Sequence, residues 1–192
     1  MDIQPIETRY KGYKFRSRLE AKWAVFFDAC GIDWDYEPEG YNLGDGIYYL
    51  PDFVLHNVKA RSFSGDLYVE VKGYMTEEDE LKIEKFYEIF KGDDPFLSNK
   101  PLLVVANIPW GQSIYKLFNF VYETQNKFWG FFNYHYCDGD NWPTLLVLDK
   151  NKNLRLMDAS CNKDCLIVNE KATLEAYQKA REARFEHGES PK

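Results

Sequence analysis

Apolar side chains along this chain follow two rhythms, and the switches between them mark out the predicted elements. Leu19, Trp23, Phe26, Phe27 and Cys30 recur at helical spacing, so a helix with one buried face is expected here. Ser17 is suited to cap its start, with Glu20 at the capping-box position, and Gly31 is placed to end it in the left-handed conformation. The rhythm then shortens to two. Ile32 to Glu37 alternates, with Ile32, Trp34 and Tyr36 on one face; Tyr48 to Leu55 is a second strand candidate. Asp66 to Lys72 is the third, with Leu67, Val69 and Val71 on one face and Tyr68, Glu70 and Lys72 on the other. Asn57 to Gly65 reads as the loop between the second and third strands.

Thr76 is placed to cap a second helix whose first turn is acidic (Glu77, Glu78, Asp79), with Leu81, Phe86, Ile89 and Phe90 as its expected buried stripe and Gly92 and Pro95 as its breakers. Pro101 to Ile108 is a continuous apolar run, the mark of a central strand. Beyond it, Ser113 to Gln125 is helical in pattern, with Ile114, Leu117, Phe118 and Val121 on one face. Phe128 to Tyr136 and Thr144 to Leu148 read as strands around a turn at Asp138-Gly139-Asp140. Leu154 to Met157 and Leu166 to Val168 read as short strands, and Ala172 to Phe185 as a terminal helix before a frayed tail. Ahead of the first helix lies a polar, basic stretch with a turn at Tyr10-Lys11-Gly12-Tyr13.

This order predicts an α/β protein: residues 1–110 form the core, as helix, three strands, helix and strand, and residues 111–192 add a C-terminal α+β elaboration packed onto it. A length of 192 residues fits one domain with such an addition. The chain is 45% hydrophobic and 17% aromatic, enough for a core rich in large rings. The net charge of -7 argues against coating nucleic acid by bulk electrostatics, and leaves room for a nucleic-acid enzyme with clustered basic residues and metal-neutralised carboxylates. No signal-peptide pattern and no apolar run long enough to span a bilayer is present, so a cytoplasmic protein with reduced thiols and no membrane partner is expected.

The chemistry is concentrated at Glu20, Asp52, Glu70 and Lys72. Residues two apart on a strand share a face and lie roughly 6.5–7 Å apart along it, so Glu70 and Lys72 point the same way. Asp52 reaches that face if the second and third strands pair, and Glu20 in the first helical turn adds a third carboxylate. Carboxylates of this kind hold divalent metals that activate water and offset charge on a phosphodiester. The structural alternatives are a simple capping box for Glu20, a turn aspartate for Asp52, and a solvated strand-face ion pair for Glu70 and Lys72.

Asp52, Glu70 and Lys72 match the signature of the PD-(D/E)xK nuclease superfamily. More narrowly, Arg16-Ser17-Arg18-Leu19-Glu20, Gly31-Ile32, Tyr36-Glu37, Pro51-Asp52-Phe53 and Glu70-Val71-Lys72-Gly73 resemble the phage endonuclease I group of Holliday-junction resolvases and the transposon-end nucleases. The resemblance covers about residues 13–74. It implies a restriction-endonuclease-like core and a DNA endonuclease dependent on Mg²⁺ or Mn²⁺, in phage-type DNA processing or recombination within the host cytoplasm. It further implies metal binding by Glu20, Asp52, Glu70 and the backbone carbonyl of Val71, with Lys72 positioning the attacking water.

Six basic residues precede or enter the first helix: Arg9, Lys11, Lys14, Arg16, Arg18 and Lys22. Because they flank the proposed centre, Lys11, Lys14, Arg16, Arg18 and Lys22 are read as phosphate contacts, the alternative being a solvated helix face. Tyr13 and Tyr74 are candidates either for substrate contact or for packing. A homodimer is expected, since one active site cuts one strand at a time. His135, Cys137, Cys161 and Cys165 are read as reduced thiols and an ordinary histidine, with structural zinc as the alternative. The aromatic run from Phe128 to Tyr134 reads as core or subunit contact rather than as a base-stacking platform. Two further functions stay open. One is an acidic, non-catalytic protein that binds a basic protein partner on a nuclease scaffold, such as a counter-defence inhibitor. The other is a nuclease whose substrate is RNA.

Overall fold

A computed structural model describes residues 6–59, 64–90, 99–125, 130–132, 144–158 and 168–185. In chain order the elements are β1 (Thr8–Tyr10), β2 (Tyr13–Phe15), α1 (Arg18–Cys30), β3 (Trp34–Tyr36), β4 (Tyr41–Asn42), β5 (Tyr48–Tyr49), β6 (Phe53–Lys59), β7 (Ser64–Val71), α2 (Glu77–Phe90), β8 (Leu102–Val105), α3 (Ile114–Gln125), β9 (Gly130–Phe132), β10 (Thr144–Leu148), β11 (Leu154–Asp158) and α4 (Glu170–Glu182). This is a mixed α/β architecture around a five-stranded sheet of order β3-β6-β7-β8-β9. Among the described residues of this sheet only the β7–β8 pair is parallel, and α2 lies in the crossover that such a pair requires.

Helix α1 is fixed at both ends. The Ser17 hydroxyl accepts the Glu20 N–H at 3.1 Å. At the other end Gly31, at φ 69°, donates to the Asp28 carbonyl while Ile32 donates to that of Phe27, the paired bonds of a Schellman motif. The expected stripe is buried, with Trp23, Phe26, Phe27 and Cys30 inside and Leu19 packed at the margin. The Trp23 indole donates to the Ala106 carbonyl at 2.7 Å, tying α1 to the exit of β8.

The sheet separates two hydrophobic cores. Alternation sends Phe53 and Leu55 of β6, Leu67, Val69 and Val71 of β7, and Leu103 and Val105 of β8 to one side. There they meet α1, Leu117 and Val121 of α3, β10 and β11, and Ala176, Tyr177 and Ala180 of α4. Val54, Tyr68, Leu102 and Val104 point to the other side, onto Leu43, Tyr49, Met75, Ile83 and Phe86. The larger core draws on residues both before and after position 110, and β9 extends the main sheet.

Several expectations change. The segment 57–65 is not one loop: β6 runs to Lys59 and β7 begins at Ser64, because Asn57 takes a left-handed φ of 55° and absorbs a register shift between Leu55 and Val58. The second apolar run is two strands, β5 and β6, with Asp52 in the bend between them rather than in a strand. In α2 the buried residues are Ile83 and Phe86 with Phe90 packed beside them; Leu81 and Ile89 are exposed. Successive residues turn 100°, so Leu81 lies across the helix from Phe86, and one apolar stripe cannot hold both. Helix α4 ends at Glu182, although Phe185 beyond it is buried.

The basic turn proves to be a hairpin, β1–β2, with Lys11 and Gly12 at φ 49° and 86°, the two positive angles of a type I′ turn. The β4–β5 pair was not foreseen either. Gly92, Pro95, most of the 128–136 strand, the turn at 138–140, and His135, Cys137, Cys161 and Cys165 lie outside the described residues; Cys30 is a buried free thiol. No helix among the described residues is long and apolar enough to cross a membrane.

Candidate active site

Strand pairing decides whether the carboxylates meet. Strands β6 and β7 are antiparallel, with Phe53 opposite Val69. Continuing that register by one residue puts Asp52 level with Glu70, on the side of the sheet away from Phe53 and Val69. The Glu37 N–H donates to the Asp52 carbonyl at 2.9 Å and holds the bend at the end of β3. The Asp52 carboxylate accepts the Val71 N–H at 2.7 Å, so a side chain completes the ladder where the strand pairing stops.

Glu70 is 3% exposed and both its oxygens are engaged. The Tyr49 hydroxyl donates to Oε2 at 2.8 Å, and the Lys72 ammonium sits 2.8 Å from Oε1. Lys72 follows the last residue of β7, with its N–H bonded to the Val105 carbonyl at 2.8 Å. Its ammonium also lies 2.8 Å from Oδ1 of Asp79, in the first turn of α2. Asp79 is itself anchored: its Oδ2 accepts the Thr76 N–H at 3.0 Å and the Thr76 hydroxyl at 2.7 Å, and Thr76 Oγ1 accepts the Asp79 N–H.

Glu20, 6% exposed, approaches from α1. Its Oε2 accepts the Tyr36 hydroxyl at 2.6 Å and the Arg16 N–H at 3.0 Å, and its Oε1 the Ser17 hydroxyl at 2.6 Å. The capping box is therefore displaced by one residue, because the carboxylate reaches the N–H of Arg16 rather than that of the cap itself.

Charge links the three acids. Burial pushes the Asp52 carboxyl well above the usual carboxylate range; the charges of Glu70 and then Glu20 push the same way, against the Val71 N–H and Lys72. Burial likewise raises Glu70, against the pull of Lys72 and Tyr49. Burial works against the Lys72 ammonium, but Glu70 and Asp79 outweigh it and hold its pKa above the ordinary value. Burial also raises Asp79, yet its bonds to Lys72 and Thr76 prevail and lower it. As the site stands, the ionised forms of Asp52 and Glu70 are thus disfavoured.

Glu70, Lys72 and Asp52 come together on one side of the sheet edge, and the charge of Glu20 reaches Asp52. Among the described residues, however, no three His, Cys, Asp or Glu side chains stand close enough to hold a metal ion as they are. Their oxygens are turned instead onto Val71, Tyr49, Lys72, Tyr36 and Ser17. Three of the five basic candidates stand in surface ion pairs. Lys11 pairs with Asp28, Lys14 with Glu7 and Arg16 with Glu37, each at 2.7 Å; Lys22 donates to the Arg181 carbonyl at 3.3 Å; Arg18 is exposed. Tyr13 packs on Trp34, whereas Tyr74 is 76% exposed just past Lys72.

Sequence reasoning missed Asp79 and Tyr49 as members of the cluster. The Thr76-x-x-Asp79 spacing is a capping-box signal that announces a fixed carboxylate, but nothing local places it beside Lys72. The chain matches no protein-family model, no curated protein and no solved structure.

Proposed function

We propose that this protein is a metal-dependent endonuclease of the PD-(D/E)xK type, hydrolysing DNA phosphodiester bonds. The observation that carries this reading is the meeting of Asp52, Glu70 and Lys72 where β6 and β7 pair: the Asp52 carboxylate accepts the Val71 N–H at 2.7 Å, and the Lys72 ammonium stands 2.8 Å from Glu70. Carboxyls brought close together in a buried place cost stability unless a cation offsets them, so such a set at one sheet edge points to function. The succession of α1, β3, β6, β7, α2 and β8 supports reading the sheet as a restriction-endonuclease-like core.

Hard carboxylate oxygens suit Mg²⁺ or Mn²⁺, and Asp52, Glu70 and Glu20 are the residues that would hold such an ion, with the Val71 backbone beside Asp52. The ion supplies Lewis-acid stabilisation of the phosphate and lowers the pKa of a bound water. In this reading Lys72, on the face of Glu70, donates to the attacking water and to the phosphate as its charge grows. Tyr49 and Tyr36 hold Glu70 and Glu20 in place. Exposed Arg18 and Tyr74 are groups free to meet a nucleic-acid strand.

The test is plasmid cleavage with Mg²⁺ and with Mn²⁺. Wild type nicks or linearises the plasmid, and Asp52→Ala and Lys72→Ala each lose on the order of 100-fold or more in rate. Full activity in either variant removes the mechanism. Parallel digestion of DNA and RNA oligonucleotides of one sequence fixes the substrate class.

A second reading draws on a different observation. The carboxylates are internally satisfied, and three of the basic candidates are neutralised by acids of the same chain. Both suit an acidic protein that binds a basic partner on a nuclease scaffold. Calorimetry decides: absence of Mn²⁺ binding together with tight capture of a basic protein favours the binder.

A further inference from the structure

We propose that Asp79 is a second seat for the Lys72 ammonium, one that frees Glu70 to take a divalent cation. The inference rests on the metal-dependent reading above and concerns how the same centre is made ready for its ion.

Lys72 is shared evenly. Its Nζ lies 2.8 Å from Glu70 Oε1 and 2.8 Å from Asp79 Oδ1. The first carboxylate belongs to the candidate ion-binding set; the second does not. An ammonium in contact with a Glu70 oxygen repels any cation approaching that oxygen, and the repulsion is strong at a site this buried. The ion and the ammonium therefore compete for Glu70, and occupancy by one requires the other to have somewhere to go.

Asp79 provides that place with little rearrangement. One of its oxygens is spent on Thr76, which fixes the side chain at the start of α2, and the other faces Lys72. Lys72 can give up Glu70 by a rotation of its flexible stem while keeping a full ion pair. Without Asp79, leaving Glu70 would strand the ammonium in a partly buried position, where an unpaired charge is costly. Asp79 is thus a positioning residue that acts through Lys72.

Titration of Mn²⁺ into substrate-free protein by calorimetry tests this without turnover. Four proteins are compared: wild type, Asp79→Asn, Lys72→Met and the double variant. Asp79→Asn keeps acceptors for Thr76, and circular dichroism verifies its fold. It is expected to bind Mn²⁺ roughly 3- to 30-fold more weakly than wild type, within the range of coupling between contacting residues. Asp79→Glu, which keeps the charge on the same helical turn, recovers most of that loss. Lys72→Met binds more tightly than wild type. In the Lys72→Met background Asp79→Asn changes affinity by less than about twofold, because the group it serves is gone. An equal loss in both backgrounds shows a direct effect of the Asp79 charge and overturns the proposal. So does an unchanged affinity of Asp79→Asn in the presence of Lys72. A wild type that binds no Mn²⁺ overturns the metal-dependent reading itself, and the second seat with it.

Discussion

Two aspartates of this protein expose almost equally little surface and have opposite fates, Asp149 in a turn near the surface and Asp52 deep beside the sheet. Asp149, 4% exposed, follows β10 in the turn to β11; Asp52, 8% exposed, immediately precedes β6. Around Asp149 the turn supplies donors in excess. Its carboxylate accepts the N–H groups of Asn151 at 2.8 Å and Asn153 at 2.9 Å, the Asn153 side chain at 3.1 Å, and the Arg155 guanidinium at 2.9 Å. Burial raises this carboxyl, and those bonds more than reverse it, so its pKa falls below the ordinary value. Around Asp52, among the described residues, one donor meets the carboxylate, the Val71 N–H. Burial and the charges of Glu70 and Glu20 outweigh that bond and the pull of Lys72, and its pKa rises. Low surface exposure alone does not distinguish a structural carboxylate from a candidate functional one. The balance of donors against like charges does.

The comparison breaks most sharply at Asp149. Asp149→Ala removes the acceptor of four donor groups and is expected to cost about 3 kcal/mol. For a chain of this size that lowers Tm by roughly 6–12 °C, read by calorimetry at neutral pH. A loss within the noise of a surface substitution would show the turn to be held by its backbone alone. Because the folded pKa of Asp149 is depressed, its contribution is complete above the unfolded value near ~3.9 and disappears as pH falls through the folded one. Asp149→Asn should flatten that acid limb.

Asp52 should respond in the other direction. Asp52→Asn retains an acceptor for the Val71 N–H, removes a charge opposed by Glu70 and Glu20, and offers Glu70 a donor. We expect a gain of about 1 kcal/mol, or roughly 2–4 °C in Tm, together with loss of Mn²⁺ binding. A variant less stable than wild type would mean that the three acids are already balanced.

The smallest effect belongs to His56, which bridges Asp35 and Asp66 at 3.1 Å to each. Burial disfavours the imidazolium, but hydrogen bonds to Asp35 and Asp66 outweigh it and raise the pKa. A raised histidine stabilises fully below its unfolded pKa of about 6.5, and the contribution vanishes as pH climbs through the folded value. Screening at this partly exposed bridge limits it to a few tenths of a kcal/mol. The Tm gap between wild type and His56→Asn should be open at about pH 5.5, closed at about pH 8.5, and narrowed by salt. A gap that widens with rising pH would reverse the assignment.

Local patterns in the sequence determined the local structure. Ser17 and Gly31 bound α1 because capping and the left-handed turn depend on adjacent backbone groups. The alternation of Leu67, Val69 and Val71 against Tyr68 and Glu70 fixed the two faces of β7. It also put Lys72 on the face of Glu70, since a strand repeats every two residues. Where the sequence misled, apolar identity was taken for burial. Leu81 and Ile89 are apolar but exposed, and which flank of α2 meets the sheet is set by the sheet. The break at Asn57 depends on one left-handed residue, to which a hydrophobic pattern is blind.

What the tertiary structure alone decided is which charges meet. Asp52 faces Glu70 only because β6 pairs with β7 in one register, and one residue of slip would turn Asp52 to the opposite side. Asp79 reaches Lys72 because the crossover brings the start of α2 back over the end of β7. Lys11, Lys14 and Arg16 read as a basic cluster along the chain, yet in space each is matched by an acid. Periodicity governs the direction in which a side chain leaves its own backbone. Its neighbours come from elsewhere in the chain, and the strength of a buried charge depends on those neighbours.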